Sequence, residues 1–465
     1  MREFDLNIQQ VLENWTLAHA VREVIANALD EQALTGSRDP EIAWDDAGAL
    51  HVRDWGRGLR YEHLTQNEDS EKLANPDVVI GKFGVGLKDA MATFHRQGVD
   101  VSIRSRHGDV SIATRAKHGF EDVVTLHAMI SDPLDASLEG TDFILRGSAL
   151  TEEVVEEAKG YFLKYSNERV VGSSKYGLVL SGTARVPARI YVNGLLVARE
   201  DNFLFSYNIT STTKDLRKAL NRERTNVGRS AYSDRVKAIL LNCDDAPVIE
   251  KVVRDLERFV TGRQHDETLW LDVGLHACQL LNARESVVFV TSFEAMAAPE
   301  LLRRAKEDGR RVVVVPDTIR AKLPRMTDVE GNPMQDLDQF HLEWNEGFTF
   351  AFVSEQEMSP QERTIWGLRQ AIANVAGGIP KAVNEVLVSE TMRLNASTYT
   401  EQVGIWEPIT RRVIIRRSEL ETIPRFAGVL IHEFAHASSG AGDSTREFES
   451  ELTELLGLLA SKLVS

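Results

Sequence analysis

His432-Glu433-Phe434-Ala435-His436 sets two imidazoles four residues apart with a carboxylate between them. On a helix that spacing puts both rings on one face, where they can share a zinc ion. Glu433 is then placed beside them to activate water at the metal. Residues 426–431 are apolar or small, as expected for a helix buried behind a reaction site. Near the other end, Glu23 and Asn27 share a helix face, and Asp30 follows one turn on. A carboxylate such as Glu23 can orient or deprotonate an attacking water. The Asn27 amide oxygen is a hard ligand suited to magnesium beside phosphates. Asp54-Trp55-Gly56-Arg57-Gly58 offers an acceptor for an exocyclic amine, and its glycines let backbone approach a flat ring. Gly81-Lys82-Phe83-Gly84-Val85-Gly86-Leu87-Lys88 runs into a helix, and amides at a helix start make a phosphate cradle. Gly140-Thr141 precedes a strand over 142–145.

A third zinc ligand has to come from the acids downstream of His436: Asp443, Glu447, Glu449, Glu451 or Glu454. On a helical wheel Glu447, Glu451 and Glu454 share a polar face, whereas Glu449 falls near Leu452 and Leu456. An inward-facing acid needs a partner, and a metal is one. Glu449 is therefore the first choice and Glu451 the second. No third histidine follows His436, which excludes a metzincin ligand set.

The elements that must carry these groups alternate between helix and strand. Apolar spacing predicts a helix over 11–32, a strand over 50–54 and a hairpin over 99–112 turning at His107-Gly108-Asp109. Residues 146–262 open with a helix over 152–165, continue with strands such as 189–194, and hold a helix over 230–241. A βαβ-like stretch follows: strand 287–291, helix 299–308, strand 312–315. Residues 326–340 are polar and read as a loop. The last segment mixes a strand over 412–416 with helices over 360–375, 424–438 and 445–462. The predicted architecture is α+β and multidomain, with boundaries 1–145, 146–262, 263–347 and 348–465.

The order and spacing of the N-terminal boxes resemble the GHKL ATPase superfamily, which includes heat-shock protein 90, MutL, the MORC proteins, DNA gyrase and histidine kinases. Glu23 and Asn27 match its first box, Asp54 with Gly56 and Gly58 the second, and Gly81, Gly84 and Gly86 the third, with Lys88 just beyond. Thr141 matches the threonine that helps hold adenine. The resemblance implies a Bergerat-type ATP-binding fold followed by a transducer domain of the ribosomal S5 type. It implies that Glu23 is the general base, Asn27 the magnesium ligand, Asp54 the adenine anchor and residues 59–80 the lid. Leu220-Asn221-Arg222-Glu223-Arg224 resembles the transducer loop of heat-shock protein 90, which would bring Asn221 and Arg224 to the γ-phosphate. Lys214 competes for that role. The last hundred residues resemble zincin metallopeptidases of the gluzincin kind, with the strand region 405–416 as the substrate edge.

The implied cofactors are ATP, Mg2+ and Zn2+. The implied activity is ATP hydrolysis gating a zinc peptidase that cuts a protein substrate, with ATP-dependent homodimerisation and a role in bacterial stress or phage defence. The alternatives are a chaperone or remodelling ATPase with a structural zinc, and a MORC-like or MutL-like protein acting on DNA. Bulk properties bear on this choice. Net charge is -16, from 70 acids against 54 bases, which speaks against a general nucleic-acid binder. The 2 cysteines, Cys243 and Cys278, are too few and too far apart for a disulfide framework or a cysteine zinc site. No apolar run is long enough to span a bilayer, and the first residues lack a signal-peptide core, so the expected location is the cytoplasm.

Overall fold

The computed structural model describes the chain except for residues 1, 7–14, 66–69, 76, 82–84, 118, 183–185, 221–226, 396–397 and 465. Gly84, Asn221 and Arg224 therefore lie outside the described residues. The protein is mixed α+β and multidomain, and it divides into two compact units, Met1–Ala277 and Cys278–Ser465. Among the described residues no helix is long and apolar enough to cross a membrane.

The first unit contains two sheets. Strands β1 (Arg2–Asp5), β2 (Glu41–Trp44), β3 (Leu50–Arg53), β4 (Asp100–Ser105), β5 (Asp109–Lys117), β6 (Phe120–Ser131) and β7 (Thr141–Arg146) form a sheet of order β1-β6-β5-β4-β7-β3-β2. Every pairing in it is antiparallel. Helices Leu17–Thr35 and Val85–Arg96 supply Val21, Val24, Ile25, Leu87, Met91 and Phe94 to a core shared with Val52, Ile103 and Leu145 of the strands. The first helix ends where Gly36 adopts φ 67 and its N–H caps the Gln32 carbonyl.

The second sheet takes β8 (Val170–Ser174), β9 (Gly177–Leu180), β10 (Ala188–Val192), β11 (Leu195–Glu200) and β12 (Ser206–Ile209) in the order β11-β10-β12-β9-β8. The predicted helix over 152–165 stops at Lys159, and only a 3-10 turn, Leu163–Tyr165, lies beyond Gly160. The predicted helix over 230–241 starts later, at Ser233, after a 3-10 turn.

The second unit holds β13 (Val287–Val290) paired in parallel with β14 (Arg311–Val314), joined by helices Ser292–Ala297 and Pro299–Glu307. The stretch 326–340, expected to be loop, contains the start of helix Leu337–Glu346. Asp336 caps it, and Leu337 and Phe340 are buried on β13, so a short apolar face outweighs the polar composition. Strands β15 (Glu385–Ser389), β16 (Gly404–Glu407) and β17 (Arg412–Arg416) form a sheet of order β15-β17-β16, so β16 is an edge. Helix Ile423–Ser439 packs on this sheet through Phe426, Leu430 and Phe434 against Val413 and Ile415.

Candidate functional site

Helix Ile423–Ser439 carries the histidine motif as expected. Thr422 caps its start, Pro424 sits in its first turn, and Gly440 closes it at φ 67. Phe434 and Glu433 turn into the protein, and the two imidazoles face an open cleft of ≈ 870 Å³. His432 Nε2 and His436 Nε2 are 3.1 Å apart. Asp443 Oδ1 lies 3.2 Å from the first and 3.3 Å from the second. The Nδ1 of His436 is 2.8 Å from the Ala441 carbonyl, which only accepts, so Nδ1 carries the proton and Nε2 keeps its lone pair. Three ligand atoms converge in a triangle whose sides match the edge of a zinc tetrahedron, about 3.3 Å for bonds near 2.0–2.1 Å. This donor set fits zinc.

The acid that the structure brings to the two imidazoles is Asp443, and Glu449 is not among the clustered groups. Among the described residues, the cluster of metal-ligating groups is His432, His436 and Asp443. Glu449 is exposed on helix Arg446–Leu463. The wheel phase explains the correction. The buried stripe of that helix is Phe448, Leu452 and Leu455, with Leu456 57% exposed, so the inward face is one residue out of phase with the Leu452–Leu456 stripe assumed from sequence. Phe448 takes the place foreseen for the acid. Its ring stacks on His436 at 4.2 Å between centroids and meets His432 edge-on at 4.9 Å. Glu451, the second choice, also lies outside the cluster.

Glu433 is 5% exposed and its carboxyl is pushed up to about 8, first by burial and then by the Asp443 charge, against a hydrogen bond from the Trp406 N–H. Burial also lowers His432, and the neighbouring His436 adds to this, which favours the neutral, ligating imidazole. Edge strand β16 lies directly on the motif. A Cβ on Gly404 would fall 2.7 Å from Glu433 Oε1 and 2.4 Å from Val429 Cγ1. Val403, Ile405 and Trp406 continue this wall of the cleft.

In the first unit the boxes, scattered in sequence, meet at a few contacts. Glu23 is 2% exposed, and its Oε1 accepts from Arg22 at 2.8 Å. A Cβ on Gly86 would lie 2.3 Å from Glu23 Oε2, so the first and third boxes touch. Asp30 accepts from the amides of Ile80 at 2.5 Å and Gly81 at 2.9 Å. Asp54 is 5% exposed and accepts from the amides of Gly56 at 2.9 Å and Thr141 at 3.2 Å. Burial raises its carboxyl to about 6. Gly140, at φ 75, has no room for a side chain, because a Cβ there would sit 1.9 Å from the Asp54 carbonyl oxygen. Gly58 also has positive φ, and Thr141 Oγ1 accepts from Leu59 N–H at 3.0 Å. Lys88 is buried in the helix that follows the third box, and desolvation lowers its pKa.

Asn27 Oδ1 accepts from Lys72 at 3.0 Å, and the same ammonium is 2.7 Å from Asp30 Oδ2. A cation thus already stands against the Asn27 oxygen foreseen for magnesium and against the Asp30 carboxylate, and this donor set fits a positive ion. Lys72 escaped the sequence reading, since no spacing distinguishes one lysine in a polar stretch. The same holds for Gly404 and Phe448, whose roles depend on close approach between elements.

The protein is mixed α+β, with a carboxylate–glycine constellation in one unit and a His-His-Asp cluster in the other. The chain is similar to proteins of Mycoplasma pneumoniae. Residues 153–246 match the family model described as the Mycoplasma pneumoniae MPN635 N-terminal domain. An uncharacterized protein of Mycoplasma pneumoniae is 36% identical over 244 residues, 52% of this chain and 97% of that protein. The chain belongs to the family of that protein. A second uncharacterized protein from the same organism is 22% identical over 349 residues, 70% of this chain and 96% of that protein.

Proposed function

We propose that the chain is an ATP-binding, ATP-hydrolysing protein of GHKL type whose nucleotide site controls a zinc-dependent peptidase. In this reading the seven-stranded sheet and its helices are a Bergerat-type domain, the five-stranded sheet is the transducer, and residues 348–465 are zincin-like. The observation that carries it is the triangle of His432, His436 and Asp443 beside buried Glu433, at the base of a cleft bordered by an edge strand. Structural zinc sites are closed by four protein ligands, whereas this one opens on a cleft, which favours catalysis over the structural-zinc alternative.

Zinc, when bound, supplies a Lewis acid for a peptide carbonyl and acidifies water. The residues of the chain do the rest. Edge strand β16 offers backbone groups to an extended peptide. Glu433 takes a proton from the attacking water and delivers it to the leaving amine. Phe448 holds both imidazole planes, and the Ala441 carbonyl keeps Nε2 of His436 free to ligate. In the nucleotide site, Asp54 and Thr141 address the adenine edge, Asn27 supports magnesium, and Glu23 acts on the hydrolytic water. Asn221 and Arg224, or Lys214 in their place, reach the γ-phosphate and carry the signal.

The test is zinc analysis together with cleavage of casein and of peptide mixtures, with and without ATP and Mg2+. Zinc-dependent cleavage whose rate changes with nucleotide is expected. Purified, zinc-loaded protein that cuts no peptide in either condition overturns the peptidase reading. Glu23→Ala is expected to bind ATP normally and to lose hydrolysis by about 100-fold or more, the usual weight of a general base. Full turnover in that variant removes Glu23 from this role. Gly404→Ala is expected to impair cleavage with zinc content unchanged, because its methyl group displaces the Glu433 carboxylate and not the imidazoles. Loss of zinc in step with activity would count against this.

A further inference from the structure

Lys72 sits on the short helix Ser70–Ala74, in the stretch read as the lid. Its ammonium bridges Asn27 Oδ1 at 3.0 Å and Asp30 Oδ2 at 2.7 Å. Asp30 is 1% exposed, and its carboxylate also accepts the Ile80 and Gly81 amides. The next residue, Glu71, pairs with Arg57 at 2.9 Å, and Arg57 also grips Glu31 on the first helix. The short helix is therefore clamped to helix Leu17–Thr35 by two ion-paired contacts, one of them through the amide foreseen as a metal ligand. The same stretch is also tied to the second sheet. Val79 O accepts from Asn193 at 2.9 Å, and Asp77 Oδ1 accepts from Thr212 Oγ1 at 3.0 Å. Both partners belong to the second sheet of the same unit, at the β10–β11 turn and in the loop after β12.

We propose that Lys72 is an internal counter-cation that competes with magnesium for the Asn27–Asp30 pair, so that metal-nucleotide can bind only as Lys72 withdraws. The proposal rests on the nucleotide-site reading above and adds a residue that sets its metal dependence. Two cations cannot share these oxygens, because a metal ligated at Asn27 Oδ1 would lie within contact distance of the ammonium, and like charges repel there. Removing the ammonium leaves the buried Asp30 carboxylate without its counter-charge, which raises the affinity of the pocket for another cation. Withdrawal of Lys72 also loosens the segment that Asn193 and Thr212 hold. Metal binding is thereby felt at the second sheet, close in sequence to Lys214.

The experiment uses the full chain and a fluorescent ATP analogue, with binding followed by anisotropy over a Mg2+ series. No catalytic readout is involved. Lys72→Met is expected to lower the Mg2+ concentration for half-saturation by about fivefold or more, because the pair it breaks has a buried carboxylate. Lys72→Arg, which keeps the charge, is expected to stay close to wild type. In parallel, hydrogen exchange at the amides of Ile80 and Gly81 is expected to quicken when Mg2+ and the analogue bind to the wild type. An unchanged or raised Mg2+ requirement in Lys72→Met overturns the proposal, and a raised one makes Lys72 a phosphate ligand instead. Wild-type protein that binds no nucleotide at any Mg2+ concentration overturns the nucleotide-site reading itself, which is a different result from a wild type that binds with unaltered metal dependence in the variant.

Discussion

Glu433→Gln is expected to lower peptide cleavage by about 100- to 10,000-fold while zinc content and fold are retained. The substitution keeps the volume of the side chain and its hydrogen bond from the Trp406 N–H, and removes only the capacity to accept and return a proton. Glu433 is not in the ligand triangle, so the metal should stay. Its carboxyl is buried against Gly404 of the edge strand. Zinc measured by absorption spectroscopy and cleavage measured on casein separate the outcomes. Cleavage untouched on every substrate would show that the motif serves another purpose. Joint loss of zinc and cleavage would mean that Glu433 holds the centre together instead of acting on water.

Asp443→Ala should weaken zinc binding by about 100-fold or more, since even outer-shell partners of a metal ligand typically contribute 10- to 100-fold. Glu449→Gln should leave zinc binding and cleavage near wild type. These two variants decide between the ligand chosen from the helical wheel and the one found by geometry. The opposite pattern, with zinc lost in Glu449→Gln and kept in Asp443→Ala, would require helix Arg446–Leu463 to turn on its axis when metal binds. Phe448 opposes that turn. It is 5% exposed and contacts both imidazoles, so rotating Glu449 inward would carry an apolar ring into water.

Glu449 lies outside the cluster of His432, His436 and Asp443 for an instructive reason. Periodicity identifies which residues of a helix share a face, but the phase of a mixed stripe depends on what the helix meets. Thr445 caps this helix through the Phe448 amide, the chain turns through Gly440 and through Ser444 at φ 62, and those local conformations aim Phe448 at the histidines. The acid beside the two histidines then comes from the loop before the helix. In the same way residues 326–340 read as loop because their apolar residues are few, yet Leu337 and Phe340 find β13.

Local patterns carried much of the rest. A spacing of four on a helix is enough to put His432 beside His436 and Glu23 beside Asn27, because 3.6 residues per turn is a property of the backbone alone. Strand β3, the hairpin of β4 and β5, and the β13–β14 pair follow from alternation and turn residues in the same way. Contacts between distant segments were decided by the tertiary structure. Asp54 and Thr141 are 87 residues apart and meet because β3 and β7 are neighbours in the sheet. Gly86 meets Glu23 because two helices cross at the one position without a side chain. Lys72 reaches Asn27 across 45 residues, and Gly404 reaches Glu433 from a strand. The chain by itself determined which chemical groups are present and which of them share a turn of helix, since both follow from short-range geometry. Which groups complete each site depended on packing, because strand order and helix phase are set by burial summed over a whole unit.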